Sequence, residues 1–497
     1  MNFSRILDGA EVLSQSGSCS VKGLDYDSRR VQPSWLFVAM RGESTDGNRY
    51  IDAAIAAGAV AVVTDSAEQT PRKGVAWAVV PHGRRALARL SANFYKRPAE
   101  RLCFTGITGT NGKTTASFIV EAILRAAKRK SALIGTVEYH LPGEVLVAPH
   151  TTPESLELNQ MFARCVAHGA TEVVMEVSSH ALKQARVFGI PFDVAVFSNL
   201  TQDHLDYHKT MEDYFAAKRV LFEGCGTEPP RCAIVNVDDE YGRSLAEFSR
   251  RRSKLFTFGI KQGDFHAERL EMTPLGNKFT LATPGEPIEL TSPLIGLVNV
   301  YNVIAACAAA YARGCTPEQI VRGIDGMRRV PGRFERVDEA QPFAVVVDYA
   351  HTDDALKNLT RLARDFASRS NGRVITVFGC GGDRDRTKRP KMGRVAGEGS
   401  DFVVITSDNP RSEDPRAIIE DAVPGLRETR TPFIAEPDRR NAIAIALSEA
   451  RAGDIVLLAG KGHERVQITR EGELPFDDHR VASEELNRIG YKRGGRA

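Results

Sequence analysis

RLCFTGITGTNGKTTASFIVEAILRAAKRK, residues 101–130, changes its periodicity once and turns sharply where it does so. Arg101 to Thr108 is a short apolar run with β-branched and aromatic residues, which reads as a buried strand, and Thr114 to Lys130 spaces its apolar residues as a helix does. Between them lies Gly109-Thr110-Asn111-Gly112-Lys113-Thr114-Thr115. A glycine-bearing turn that opens a helix aims backbone N–H groups and the positive end of the helix dipole at one point. A lysine there neutralises β/γ-phosphate oxygens, and a hydroxyl completes the coordination of Mg²⁺. The stretch therefore reads as a nucleoside triphosphate site. The generic spacing places a glycine at position 107, where this chain has Ile107, so strand, loop, Gly-Lys-Thr and helix keep their order with one position missed.

The same alternation runs outward in both directions. Strand candidates at 60–64, 172–177, 194–200, 232–238, 343–350, 374–380, 401–406 and 454–460 are separated by helix-length segments such as 302–314. That pattern predicts an α/β protein with largely parallel sheets. Proline-marked seams near 94–102 and 327–338 divide the 497 residues into three expected domains, 1–98, 99–331 and 332–497.

Composition narrows the function classes. With 66 basic against 63 acidic residues the formal charge is +3, so no global field argues for nucleic acid or an anionic membrane. Any anionic ligand must be held locally. The eight cysteines are scattered without metal-ligand spacing, which suggests reduced thiols in a cytoplasmic protein. The first residues lack a signal-peptide pattern, and no apolar run reaches the ~18 residues that a membrane span needs.

A phosphate loop needs an acidic metal ligand at the end of a nearby strand. Glu176, in EVVMEV (172–177), stands where a carboxylate faces the crevice of an α/β sheet. Ser178-Ser179-His180 follows, and a second polar strand end, SNLTQDHLDYH (198–208), carries His204. Farther on, DFVVITSDNPRSEDP (401–415) runs from a β-branched strand into Asp408-Asn409-Pro410-Arg411. Taken alone, that end reads either as a solvated turn or as the rim of a binding site.

Together these segments resemble the Mur ligase family, ATP-dependent amide-bond ligases that build the cytoplasmic peptidoglycan precursor. The resemblance rests on GTNGKTT (109–115), HTTPES (150–155), EVSSHAL (176–182), NLTQDHLDYH (199–208), AAKRVLF (216–222), NVYN (299–302), PGRFE (331–335), DYAHTDDAL (348–356), FGCGGDRDRTKRPKMG (378–393), DNPR (408–411) and GKGHE (460–464). It implies a small N-terminal α/β domain, a central P-loop ATPase-like domain and a Rossmann-like C-terminal domain. The implied reaction uses ATP to convert the γ-carboxylate of D-glutamate in UDP-N-acetylmuramoyl-L-Ala-D-Glu to an acyl phosphate. An amine then attacks it.

Carried over motif by motif, Gly109 to Thr115 would hold the triphosphate, with Lys113 catalytic and Thr114 and Glu176 on a first Mg²⁺. His204 and Lys218, the latter carbamylated, belong to a second Mg²⁺. Asn302, Arg333 and Asp348 would face the nucleotide, with His351 near the adenosine. Tyr26 and Ser28, then Glu43, Ser44 and Thr45, map to the uridine-diphosphate region, and His150, Thr151, Thr152, Ser178, Gln184 and Arg186 to the muramoyl dipeptide.

DNPR is the family's mark for members that add meso-diaminopimelate, which differs from lysine by one distal carboxylate. The fork of an arginine suits a carboxylate better than an ammonium does. Arg411 is expected on that carboxylate, with Asp408 and Asn409 as acceptors and shape-setters, Pro410 fixing the turn, and Arg384, Gly460 and Glu464 completing the pocket. A lysine-adding relative or a folylpolyglutamate synthase-like ligase is the alternative within the fold, and a P-loop switch ATPase the alternative outside it. A monomer is expected.

Overall fold

The computed structural model describes residues 1–43, 45–273, 276–327 and 330–492, with the backbone alone at residue 206. Near the N-terminus a five-stranded sheet runs in the order Ser14–Ser16, Ala76–Val79, Ala61–Thr64, Trp35–Ala39, Gly23–Asp25. Its strands are parallel except for the first pair. Short apolar runs such as AVVT, buried on both faces, are what a parallel sheet covered by helices requires.

The eight-stranded sheet that follows positions the phosphate loop. Its order is Lys254–Phe258, Cys232–Asn236, Phe192–Phe197, Cys103–Thr108, Glu172–Glu176, Ser131–Ile134, Glu138–Leu141, Glu144–Val147. The first six are parallel and the last two form antiparallel additions. Cys103–Thr108 is thus flanked by the strand that ends in Glu176 and by the strand that leads to Asn199 and His204. Three strand ends meet at one crevice, the place where open α/β sheets bind ligands.

A six-stranded sheet near the C-terminus repeats this logic. Its order is Glu335–Val337, Ala344–Asp348, Ile455–Ala459, Val374–Cys380, Phe402–Ser407, Phe433–Ala435, parallel except for the first pair. Val374–Cys380 is flanked by the strands that lead to Asp408 and to Gly460, so the loops bearing Arg384, Arg411 and Glu464 emerge side by side.

The predicted strands and their parallel character hold for these sheets. The helix expected over 114–130 spans Lys113–Ala126 and ends just before Lys128, which adopts φ 59°. The helix expected over 302–314 begins earlier, at Leu297. Two antiparallel additions were not anticipated: a three-stranded sheet (His266–Thr273, Gly276–Ala282, Ile288–Ser292) and a hairpin (Val466–Thr469 with Gly472–Pro475). His266–Thr273 is largely exposed and Gly472–Pro475 exposed throughout, so neither leaves the apolar run of a buried strand.

Candidate active site

Two glycines of the phosphate loop are dictated by close approach. Gly109 has φ 145°, and a Cβ there would lie 2.0 Å from Ser198 Oγ; Gly112 has φ 88°, and its Cβ would lie 2.3 Å from Asn302 Oδ1. Asn302 is therefore placed against the loop. Asn199 Oδ1 accepts the Asn111 N–H at 2.9 Å, and Ser198 Oγ donates to Asn111 O at 2.6 Å. Thr110 Oγ1 lies 3.3 Å from the Tyr214 hydroxyl, and Thr115 is buried.

Two ammonium groups converge on one carbonyl. Lys113 Nζ donates to Gly109 O at 2.9 Å and to Thr110 O at 2.8 Å, while Lys218 Nζ donates to Gly109 O at 2.8 Å. Burial, and for Lys218 also the neighbouring Lys113, pushes both amines below the usual lysine range, Lys218 far below it. Tyr214 lies under the Lys218 ammonium, 4.5 Å from ring centre to nitrogen.

The acidic strand end is where the sequence placed it. Thr114 Oγ1 donates to Glu176 Oε2 at 3.0 Å, and Arg333 reaches Thr114 Oγ1 at 3.4 Å. Thr136, absent from the sequence reading, donates to Glu176 through its N–H (2.8 Å) and its hydroxyl (2.9 Å). Nothing about Thr136 in isolation signalled this, since it follows a different strand. Asp348 accepts Phe334 N–H (2.7 Å) and Ala350 N–H (2.9 Å), one on each oxygen, and burial raises its carboxyl.

His204 adopts φ 53° and its Nε2 lies 3.4 Å from Asp203 Oδ2. Burial, with help from His180, Lys113 and Lys218, holds its imidazole at about 4 despite Asp203. Burial raises Asp203 itself, but the charges of His204, His351 and Lys388 overcome this and hold it at about 2. Lys388 Nζ reaches Asp203 at 3.3 Å, an ion pair from the start of the helix Lys388–Gly399 to the segment after Phe192–Phe197. His351 Nδ1 lies 2.9 Å from Tyr349 O.

On the expected precursor side, Thr152 Oγ1 donates to Glu176 O at 2.8 Å and Thr151 Oγ1 lies 3.1 Å from Thr136 Oγ1. The His150 carbonyl accepts the Tyr139 hydroxyl, and Ser178 caps the helix Ser179–Lys183. Arg186 is already engaged: it pairs with Glu154 at 3.1 Å and donates to Thr152 O and Gln184 Oε1. Tyr26 donates to Glu157 at 3.0 Å through its side chain, and Ser28 sits in the turn closed by Arg30 N–H on Asp27 O. Glu43, in the segment mapped to the uridine-diphosphate region, accepts the Tyr207 hydroxyl, while Thr45 O closes a tight loop with Gly42 N–H. An anionic side chain next to a diphosphate is repelled, and the phenol offers it a donor. Ser44 lies outside the described residues.

Asp408 to Arg411 form a rim and not a solvated turn. Asn409 is 3% exposed, and its side-chain oxygen is fully engaged within the protein. Nδ2 donates to Glu464 at 2.7 Å, and Oδ1 accepts Lys461 Nζ at 3.0 Å and Ile468 N–H at 2.9 Å. Of the two roles expected for Asn409, acceptor and shape-setter, these bonds favour the second, since both lone pairs of its oxygen are engaged by Lys461 and Ile468. Lys461, overlooked between Gly460 and Glu464, is fully buried and also pairs with Glu464 at 3.0 Å. Gly460 has φ 114°, and a Cβ there would lie 2.6 Å from Asp408 Oδ2. Burial raises the Asp408 carboxyl, against the opposing charges of Lys461 and Arg439.

Arg411 donates to Gly382 O at 2.8 Å, and among the described residues no carboxylate pairs with it. Burial and the neighbouring Arg384 lower its guanidinium. A single cavity of about 1250 Å³ joins the two sides, lined by Thr136, His150, Thr151, Asp203 and His204 at one end and Arg384, Asp408, Arg411 and Glu464 at the other. A phosphate loop whose Thr114 shares Glu176 with the cavity-lining Thr136, and two arginines on the same cavity, are what a nucleotide-dependent enzyme with an anionic second substrate needs.

Family models agree with that outline and narrow it. Residues 20–95 match the Mur ligase family catalytic domain, 107–310 the Mur ligase middle domain, and 332–462 the Mur ligase glutamate ligase domain. The chain belongs to the Mur ligase family. It is 51% identical over 495 residues, covering 99% of both chains, to the UDP-N-acetylmuramoyl-L-alanyl-D-glutamate--2,6-diaminopimelate ligase of Solibacter usitatus. To the protein of the same name from Geobacillus thermodenitrificans it is 46% identical, covering 94% of this chain and 95% of that one. A solved structure of a ligase of that name superposes with a TM-score of 0.69 at 31% identity, covering 98% and 99% of the two chains. MurF from Acinetobacter baumannii superposes with a TM-score of 0.66 at 18% identity over 97% and 98%, a likeness of fold. Among the described residues no helix is long and apolar enough to cross a membrane.

Proposed function

We propose that the chain is an ATP-dependent, ADP-forming ligase that joins meso-diaminopimelate to the D-glutamate γ-carboxylate of UDP-N-acetylmuramoyl-L-Ala-D-Glu. The observation that carries this reading is the continuous cavity, with the Asp203–His204 strand end at one side and the unpaired Arg411 beside Arg384 at the other. The names of the relatives point to the same substrates. Residues 1–98 would hold the uridine end, 99–331 ATP, and 332–497 the amino acid.

In the first step the γ-phosphoryl group of ATP passes to a carboxylate oxygen, leaving ADP and an acyl phosphate. The amine of diaminopimelate then attacks the carbonyl carbon, and the tetrahedral adduct loses a proton from nitrogen and expels phosphate. The protein supplies position and charge more than covalent chemistry. Lys113 swings from Gly109 O and Thr110 O to the phosphates, and Arg333, already at Thr114, follows the developing charge. Burial of the cavity walls keeps water from the acyl phosphate.

The donors suit a hard cation: Thr114 and Thr136 hydroxyls and Glu176 are all oxygen. Among the described residues no three His, Cys, Asp or Glu side chains gather at one point, so phosphate oxygens and water would complete the shell. Bound Mg²⁺ would neutralise phosphate charge; Lys218, as a carbamate, and His204 would hold a second ion. Arg411, with Arg384, meets the distal carboxylate, and Asp408 receives the ammonium. A lysine side chain would leave both guanidiniums without an anion, a penalty that can reach ~10⁴ in discrimination. The enzyme would act in the cytoplasm as a monomer.

The test is ADP release with purified chain, ATP, Mg²⁺ and the nucleotide precursor. Release should require the precursor and rise on adding diaminopimelate but not L-lysine. Release independent of the precursor, or equal with lysine, contradicts the reading.

A further inference from the structure

The arginine pair that faces the cavity lies on two turns that are both strained. Asp383 and Arg411 each adopt φ 53°, in the left-handed region that side chains avoid. They face one another across a close approach, for a Cβ at Gly382 would lie 1.8 Å from Pro410 O. Something must hold them together, and Arg389, on the helix Lys388–Gly399 behind both turns, is placed to do so.

Arg389 is 1% exposed in the wall of the cavity; its Nε makes no hydrogen bond, and its two terminal nitrogens make all its bonds. Its Nη1 donates to Glu413 Oε2 at 2.9 Å and to Asp421 Oδ2 at 2.8 Å; its Nη2 donates to Glu413 Oε1 at 2.7 Å and to Gly381 O at 3.2 Å. Glu413, from the turn that carries Arg411, also accepts Asp383 N–H at 2.5 Å. Asp383 in turn accepts Ser412 N–H at 3.2 Å and the Ser412 hydroxyl at 2.6 Å. Gly382 N–H donates to Asn409 O at 2.9 Å, and Arg411 to Gly382 O at 2.8 Å. The loop with Arg384 and the turn with Arg411 are thus stapled by one buried guanidinium and its carboxylate.

We infer that Arg389 is a positioning residue for amino-acid selectivity, fixing the separation of Arg384 and Arg411 through Glu413 and Gly381 so that both meet one carboxylate. This rests on the diaminopimelate reading and deepens it. A planar fork that bridges two carboxylates and a carbonyl cannot be replaced by a lysine, whose ammonium is a point charge without that geometry. The facing arginines repel, so without the staple they separate.

Arg389→Lys tests this. A misplacement near 1 Å costs ~10²-fold in a positioned reaction, so KM for diaminopimelate should rise about 10- to 100-fold. The kcat/KM preference for diaminopimelate over L-lysine should fall by the same factor, while KM for ATP and for the nucleotide precursor stays within about twofold. Glu413→Gln, which keeps an acceptor for Asp383 N–H and loses the charge, should shift the preference in the same direction by less. It serves as the test where Arg389→Lys fails to fold, as judged by its melting temperature. A preference unchanged in the folded variants, or all three KM values rising together, overturns the inference. A wild-type enzyme with no preference for diaminopimelate overturns instead the substrate reading on which it rests.

Discussion

The phosphate loop and the arginine turn each park a cation on backbone carbonyls beside the C-terminal end of a parallel strand. Lys113 rests on Gly109 O and Thr110 O, Arg411 on Gly382 O. They differ in how the surroundings are assembled. The phosphate loop is one contiguous segment whose two glycines, lysine and hydroxyl lie within seven residues, 109–115. The arginine turn works only with residues 381–384 and 460–468, which reach it from two neighbouring strands. In the proposed reading, the handling of triphosphate is written locally and the choice of amino acid in tertiary contacts.

That contrast can be broken at several points. Lys113→Ala removes the cation nearest the expected phosphates and should lower kcat by ~10³ or more, the scale of a lost charge on a transferring phosphoryl group. ADP formation at saturating substrates measures it, with the melting temperature unchanged as control. Lys461→Met takes a buried donor from Asn409 and leaves Glu464 without its cation, so KM for diaminopimelate should rise about 10- to 100-fold while KM for ATP is spared. Thr136→Val keeps the N–H on Glu176 and deletes the hydroxyl; the Mg²⁺ concentration for half-maximal activity should rise about 10-fold, as for other groups that orient a ligand.

The smallest effect lies away from both regions. Burial pushes His140 down, but its hydrogen bonds to Glu121 and Glu138 and their charges outweigh it and raise the ring from 6.5 to about 9. The protonated ring therefore stabilises the folded chain fully below pH 6.5, and this share fades as pH rises through about 9. Denaturant unfolding of His140→Gln beside the parent should show a stability gap at pH 6 that narrows by pH 9.5. A constant gap contradicts the sign.

Legibility followed the same division. Many of the strands were readable because buried parallel strands leave apolar runs, and Glu176 could be named because a strand-end carboxylate beside a phosphate loop has few other uses. Thr136 could not, since a threonine one strand away carries no signal until Ser131–Ile134 pairs with Glu172–Glu176. Lys461 was in plain view within GKGHE, yet a lysine reads as exposed until it is found fully buried. Asn409 was assigned to the ligand because its three protein partners come from Lys461, Glu464 and Ile468, more than fifty residues away. The hairpin Val466–Pro475 was missed for the same reason that it matters: it is short and exposed, and its Ile468 backbone is what holds Asn409 and the Arg411 N–H.

The most direct measurement is the ratio of kcat/KM for meso-diaminopimelate to that for L-lysine, in the parent chain and in Arg411→Ala. Charge-assisted bonds to a carboxylate contribute roughly 1.5–3 kcal/mol each, so the ratio should be large in the parent and collapse by ~10² or more in the variant, with KM for ATP nearly unchanged. A ratio that survives the loss of Arg411 would show that this turn does not choose the substrate.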